Sequence, residues 1–229
     1  MDKRILLVVA AVLAVALFLL LKPPVPETPT GGIEASTTGA SSFQDAVQSN
    51  GRAIVFVPGY GTGKEAWEGF ALKARSVGFA TLAIDLNWSA INEEAYKSRV
   101  EEAVKLLESK GFEREDVMLA GASIGANVAL SYAAEHQQVR AVVLMSPGED
   151  YRGIESLPAA QAYQKPVFVV VSGEDSYSLD GSQRIHALSR ESDLLVVEEA
   201  GHGTNMFSSS KAGEVEQAIL AWLQEKAGL

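Results

Sequence analysis

Residues 121–125 read Gly-Ala-Ser-Ile-Gly, set between a short apolar run, Val117–Ala120, and a helix-like stretch, Ala126–Glu135. A serine with glycine two positions to either side, at a strand-to-helix turn, meets the demands of a nucleophile elbow. The turn is so tight that only residues without bulk fit at the two glycine positions. Its strain holds the serine hydroxyl in the open, where a substrate can reach it. The motif therefore commits this part of the chain to a strand, a sharp turn and a helix.

The chain has 229 residues, and the first 30 or so are unlike the rest, which leaves enough for one domain with a sizeable core. A hydrophobic share of 47% with 21% charged residues is that of a globular protein. The absence of cysteine excludes a disulfide scaffold, a thiol nucleophile, thiolate metal sites and lipid attachment at cysteine. Net charge is −10, and without Asp2, Lys3, Arg4 and Lys22 the remainder holds 16 basic and 28 acidic residues. So acidic a surface repels phosphate backbones, so nucleic acid is not an expected partner.

Ile5–Leu21 is an unbroken apolar run of 17 residues, with Lys3 and Arg4 before it and Lys22 after it. As a helix it spans about 25 Å, just short of a hydrocarbon core. The one Ala-x-Ala candidate, Ala14-Val15-Ala16, lies inside the run, and cleavage there leaves Leu17–Leu21 on the mature end. The expectation is an uncleaved signal anchor over residues 1–22, a transmembrane helix, with a cleaved signal and secretion as the alternative. The preceding positive charges favour a cytoplasmic N-terminus. The protein is then single-pass in the cell membrane, with its domain outside the cytoplasm. Residues 23–42, rich in Pro, Gly, Ser and Thr, read as a linker, and residues 43–229 as the catalytic domain.

From residue 43 short apolar runs alternate with helical patterns. Strands are expected at Ala53–Val57, Ala80–Ile84, Val117–Ala120, Ala141–Met145, Val167–Ser172 and Leu194–Val197. Being apolar on both alternations, they fit parallel strands covered on both faces. Helices over 96–110 and 213–226 place Val100, Val104 and Leu107, and Val215, Ile219 and Leu223, on one face each. Alternation of this kind is an α/β sheet with helices on both faces, and ligands bind beyond the carboxyl ends of its strands.

The residues after each strand follow from that rule. Pro58-Gly59-Tyr60-Gly61-Thr62-Gly63-Lys64 fails the phosphate-loop spacing, because Pro58 stands where glycine is required and Glu65 where Ser or Thr is required. It reads instead as a flexible loop presenting backbone N–H groups. Ser123 ends the next strand. Ser146-Pro147-Gly148-Glu149-Asp150 offers Asp150 as a possible acid, although a solvated loop carboxylate is the plainer reading. Gly173-Glu174-Asp175 offers Asp175 as the acid, with Glu174 the weaker neighbour. Gly201-His202-Gly203 follows the last strand. The other histidines, His136 and His186, lie in polar helical stretches and read as surface residues.

The order Ser123, Asp175, His202 is the triad order of α/β-hydrolases. Residues 50–229 resemble that superfamily, in its small, nearly capless form similar to dienelactone hydrolases and microbial carboxylesterases. The motifs are Pro58-Gly59-Tyr60-Gly61, Gly121-Ala122-Ser123-Ile124-Gly125, Gly173-Glu174-Asp175 and Gly201-His202-Gly203. Many relatives have His-Gly in place of Pro58-Gly59, dienelactone hydrolases have cysteine in place of Ser123, and the first strands usual in the fold are shortened or absent before Ala53. The resemblance implies a mostly parallel sheet of about six strands with little or no cap beyond a small helix near Ile154–Ala162. It implies a serine hydrolase of carboxylic esters that needs no cofactor or metal, with a small-molecule ester as substrate. By analogy the oxyanion donors are the backbone N–H groups of Tyr60 and Ile124. Trp88, Tyr177, Met206 and Phe207 are candidate substrate contacts. Acyl transfer, hydrolysis of a small amide or peptide, and a non-catalytic membrane-tethered binding protein are the alternatives.

Overall fold

Strands buried on both faces need apolar side chains at every position, and residues 53–57, 117–122 and 167–172 are buried throughout. The structure, a computed structural model, describes residues 42–46 and 49–228. The expected anchor, and the linker up to residue 41, lie outside the described residues. Among the described residues no helix is long and apolar enough to cross a membrane. In chain order the elements are β1 (Ser42–Gln44), β2 (Ala53–Val57), α1 (Glu68–Ser76), β3 (Ala80–Ala83), α2 (Glu93–Ser109), β4 (Val117–Ala122), α3 (Ile124–Glu135), β5 (Val142–Met145), β6 (Asp150–Tyr151), β7 (Ile154–Glu155), α4 (Leu157–Ala162), β8 (Val167–Ser172), α5 (Ser176–Leu188), β9 (Ser192–Val197) and α6 (Ala212–Ala227).

Seven strands form the main sheet in the order β1-β3-β2-β4-β5-β8-β9. All pairings are parallel except that of β1 with β3. The six expected strands are present, and the seventh is β1, too short to show a period. In register, Val57 faces Gly121, Ala122 faces Met145, and Ser172 faces Val197. The strands therefore end side by side, and the loops after β2, β4, β5, β8 and β9 leave along one edge of the sheet.

Each face of the sheet buries its own cluster. Val55, Leu82 and Leu119 meet Val100, Val104 and Leu107 of α2 and Val128 and Tyr132 of α3 on one side. Ile54, Phe56 and Met118 pack with Trp67 and with Phe70 of α1, and Val143 with Ile219 and Leu223 of α6, on the other. Helix α3 is buried along ten consecutive residues, Ile124–Ala133, as a helix crossing the centre of a domain must be. Asn92 caps α2 by accepting the Ala95 N–H at 2.9 Å. Gly228, at φ 81°, ends α6 in the left-handed conformation.

The cap consists of a hairpin and one short helix. β6 and β7 pair antiparallel around Arg152-Gly153. Both turn residues have positive φ, 58° and 88°, as in a type I′ two-residue turn. Asn127 of α3, fully buried, pins this cap. Its amide donates to the carbonyls of Gly148 (2.9 Å) and Ile154 (2.8 Å) and accepts the Gly148 N–H (3.2 Å). The Ser156 hydroxyl adds a bond to the Gly148 carbonyl at 2.6 Å.

Candidate active site

Ser123 sits between β4 and α3 at φ 54°, ψ −128°. That conformation is strained for a residue with a side chain, by about 1–3 kcal/mol. Its N–H donates to the Met145 carbonyl at 2.8 Å, which ties the turn to β5. The flanking glycines are needed for close approach. A Cβ on Gly121 would lie 2.3 Å from the Gly125 carbonyl oxygen, and one on Gly125 2.2 Å from that of Pro58. The sequence motif is thus explained by backbone packed on backbone.

The loop after β9 brings His202 to the same place. A Cβ on Gly203 would lie 3.9 Å from the Ser123 Cβ. Ser172, at the end of β8, accepts the N–H groups of Ala200 (2.9 Å) and Gly201 (3.2 Å) on its hydroxyl oxygen. Ser146 does the same for Gly203 at 2.9 Å. Neither serine figured among the sequence candidates, since nothing marks a serine at a strand end as a loop anchor.

Asp175 caps α5, accepting the Ser178 N–H at 3.4 Å on Oδ1. Its Oδ2 lies 2.5 Å from His202 Nδ1. The carboxylate accepts, so Nδ1 holds the proton and Nε2 is left with a free lone pair. Burial pushes the Asp175 carboxyl up, but the Ser178 and His202 hydrogen bonds and the His202 charge outweigh it, and the group lies below its ordinary value. The alternative acids are engaged elsewhere. Asp150 accepts the Gly153 N–H at 2.6 Å within the hairpin. Glu174 accepts the Ser172 hydroxyl at 2.5 Å and also the Glu199 N–H. His136 stacks on Tyr132, and His186 contacts Ser192 Oγ at 2.7 Å.

Opposite this pair, the loop after β2 abuts the serine. A Cβ on Gly59 would lie 3.4 Å from the Ser123 Cβ. Neither the Tyr60 nor the Ile124 N–H meets an acceptor among the described residues. Ile124 opens α3, where an N–H has no intrahelical partner.

The aromatic candidates divide. Tyr60 is 46% exposed, with Trp88 edge-on at 5.5 Å and the Arg152 guanidinium 4.0 Å from its ring centre. Trp88 is fixed by a 2.8 Å bond from Nε1 to the Thr62 carbonyl. Tyr177 is exposed, and its hydroxyl donates to the Asp150 carbonyl. Met206 and Phe207 pack toward the core. Met206 is fully buried, and Phe207 stacks on Phe70 at 5.0 Å and meets Trp67. Met206 belongs to the core and the half-buried Phe207 packs against it, both carried by the short helical turn over Gly203–Ser208.

One side chain at the site was not expected. Tyr151, from β6, places its hydroxyl 2.8 Å from Ser178 Oγ and its ring edge-on to His202 at 6.3 Å. Among the described residues no cluster of acids and histidines suits a metal ion. A cavity of about 390 Å³ lined by Phe43, Lys110, Phe112 and Asp116 adjoins the segment before β4, at the other end of the strands.

Residues 54–164 match the family described as Alpha/beta hydrolase family. No curated protein matches the chain significantly. Among solved structures, Est1E from Butyrivibrio proteoclasticus is 13% identical with a TM-score of 0.70, over 82% of this chain and 94% of its own. A dienelactone hydrolase from Anabaena variabilis is 21% identical with a TM-score of 0.69, over 81% and 90%. A monoacylglycerol lipase from Paleococcus ferrophilus is 13% identical with a TM-score of 0.69, over 82% and 99%. At these identities the likeness is one of fold.

Proposed function

Since the chain belongs to the α/β-hydrolase superfamily, we propose that it is a serine hydrolase that cleaves carboxylic esters through an acyl-enzyme. The supporting observation is the 2.5 Å bond between His202 and Asp175, on a loop whose Gly203 packs beside the strained Ser123. Ser123 Oγ attacks the acyl carbonyl carbon while His202 Nε2 takes its proton. The carbon–oxygen bond to the alcohol then breaks, and His202 gives that proton to the departing oxygen. Water repeats the sequence and frees the acid. Asp175 keeps the imidazole in the tautomer that presents Nε2 and steadies the imidazolium. The Tyr60 and Ile124 N–H groups receive the oxyanion. Tyr60, Trp88 and Tyr177 border the opening. Residues 1–22 hold the enzyme in the membrane with its domain outside the cytoplasm, a reading that rests on the apolar run and the charges before it.

The test is Ser123→Ala. The wild-type protein should take up a fluorophosphonate probe and hydrolyse p-nitrophenyl esters. The variant should lose the label and about 10⁴-fold or more in turnover at an unchanged melting temperature. Near-normal turnover by purified Ser123→Ala would overturn the assignment.

A further inference from the structure

Resting on the serine-hydrolase reading above, we propose that Arg152 is a specificity-determining residue: its guanidinium, laid on the Tyr60 ring, straps the hairpin to the loop after β2 and confines hydrolysis to esters of short acyl chains.

The strap joins two walls that each adjoin the site. On one side Gly59 abuts Ser123, a Cβ there lying 3.4 Å from the Ser123 Cβ, and Tyr60 is the next residue. On the other, Tyr151 meets the His202 ring edge-on at 6.3 Å, and Arg152 is the next residue. The Arg152 guanidinium lies 4.0 Å from the Tyr60 ring centre, well inside the reach of a cation–π contact.

Both ends of the strap are anchored. Tyr60 takes Trp88 edge-on at 5.5 Å, and Trp88 takes Tyr96 of α2 edge-on at 5.3 Å. The Tyr96 hydroxyl donates to the Asn87 carbonyl at 2.9 Å. The 2.8 Å bond from Trp88 Nε1 to the Thr62 carbonyl ties the loop after β3 to that after β2. The hairpin end is held by the Asn127 amide and by its own tight turn, in which Arg152 stands at φ 58°. Asp150, in the same turn, accepts the Gly153 N–H at 2.6 Å, and the guanidinium lies on the ring instead.

The residues that follow His202 do not open a recess for an acyl chain, since Met206 is fully buried and Phe207 stacks on Phe70 at 5.0 Å. A long chain on Ser123 therefore leaves between the hairpin and the loop after β2, where it meets the strap. A short chain ends before it. An exposed cation–π contact is weak enough to be displaced, but only the long chain has to displace it, and specificity is that difference.

Three variants test the strap. Arg152→Asn shortens the side chain so that it cannot reach the ring, and asparagine accepts the positive φ. Arg152→Lys keeps a cation. Tyr60→Leu removes the ring and keeps the backbone N–H. The readouts are kcat/KM for p-nitrophenyl butyrate and octanoate, and the melting temperature. The wild-type protein should favour butyrate. Arg152→Asn should raise the octanoate-to-butyrate ratio about two- to fivefold, the worth of one exposed cation–π contact. Tyr60→Leu should raise it alike, and Arg152→Lys should stay closer to wild type. Arg152→Asn combined with Tyr60→Leu should go no further than either alone, because both remove the same contact. An unchanged or lower ratio in Arg152→Asn, a wild type indifferent to chain length, Arg152→Lys indistinguishable from Arg152→Asn, or gains that multiply in the double variant would each overturn the proposal. If Tyr60→Leu fails to fold, the Arg152 variants decide: a raised ratio in Arg152→Asn that Arg152→Lys does not match supports the strap, and an unchanged ratio overturns it. A wild-type protein that neither takes up a fluorophosphonate label nor hydrolyses either ester would instead overturn the hydrolase reading itself.

Discussion

The hydroxyl oxygen of Ser146 accepts the backbone N–H of Gly203 at 2.9 Å, a bond buried at both ends. Ser146 is inaccessible to solvent and holds φ at 49°. The end of β5 thus carries the loop that presents His202. Ser146→Ala leaves the Gly203 N–H buried without an acceptor, a loss of about 1–3 kcal/mol. Calorimetry should show a lower melting temperature, and kcat should fall even at temperatures where the variant is fully folded, because the imidazole is less well placed. Unchanged melting and turnover would show that the loop holds itself.

Asp175 and Asp150 are separated by one substitution each. Asp175→Asn should lower turnover by about 10⁴-fold, since an amide in place of the carboxylate favours the wrong imidazole tautomer. Asp150→Asn keeps an oxygen that can still accept the Gly153 N–H, and its kinetics should match wild type. The opposite pattern would place the acid after β5.

Gly125→Ala puts a Cβ 2.2 Å from the Pro58 carbonyl oxygen and 2.7 Å from that of Val57. Both neighbours are backbone and cannot turn aside. The expected loss is about 3 kcal/mol or more, seen in denaturant melts as an earlier midpoint. Gly69→Ala on α1 meets nothing within 4 Å, and it should be neutral or up to about 1 kcal/mol stabilising.

Tyr163 is fully buried and donates to the Val139 carbonyl at 2.7 Å, and burial raises its phenol far above the ordinary value. Above pH of about 10 the unfolded chain releases this proton while the folded chain keeps it. Stability contributed by the neutral phenol is therefore intact below that pH and falls above it, by up to about 1.4 kcal/mol per pH unit. Tyr163→Phe should melt earlier at pH 7 and lose less on going to alkali. Parallel alkaline slopes for the two proteins would refute the burial argument.

Removing residues 1–40 keeps β1, which begins at Ser42 and pairs with β3. The truncated protein should be soluble and as active as the full chain, while the full chain should stay with membranes through a carbonate wash. A truncated protein that aggregates would mean that residues before β1 take part in the fold. Full-length protein released by the wash would mean that Ile5–Leu21 does not hold it.

The parallel strands were legible because burial on both faces leaves a run such as Val167–Ser172 no other reading, and the positions of Asp175 and His202 follow from strand ends. The hairpin was not legible. Two-residue strands show no period, and Glu149-Asp150-Tyr151-Arg152-Gly153 reads as solvated loop. The one available signal was Gly153 after Arg152, a dipeptide that accepts positive φ at its second position. Met206 misled for the converse reason: it follows the His202 loop in sequence, but on the helical turn over Gly203–Ser208 it is buried in the core, with the half-buried Phe207 packed against it.

Asn127 has wider consequences than its three bonds suggest. It sits four residues after Ser123 on the helix that begins at the elbow, and it grips the hairpin from inside. Helix α3 and the hairpin are consequently tied together, and on the hydrolase reading proposed above a substrate should meet that side as one unit. On that reading, adaptation to bulkier acyl or alcohol groups should come from the loops after β2 and β3, where Tyr60 and Trp88 meet solvent. Libraries aimed at new substrates should vary that side and leave Asn127 alone.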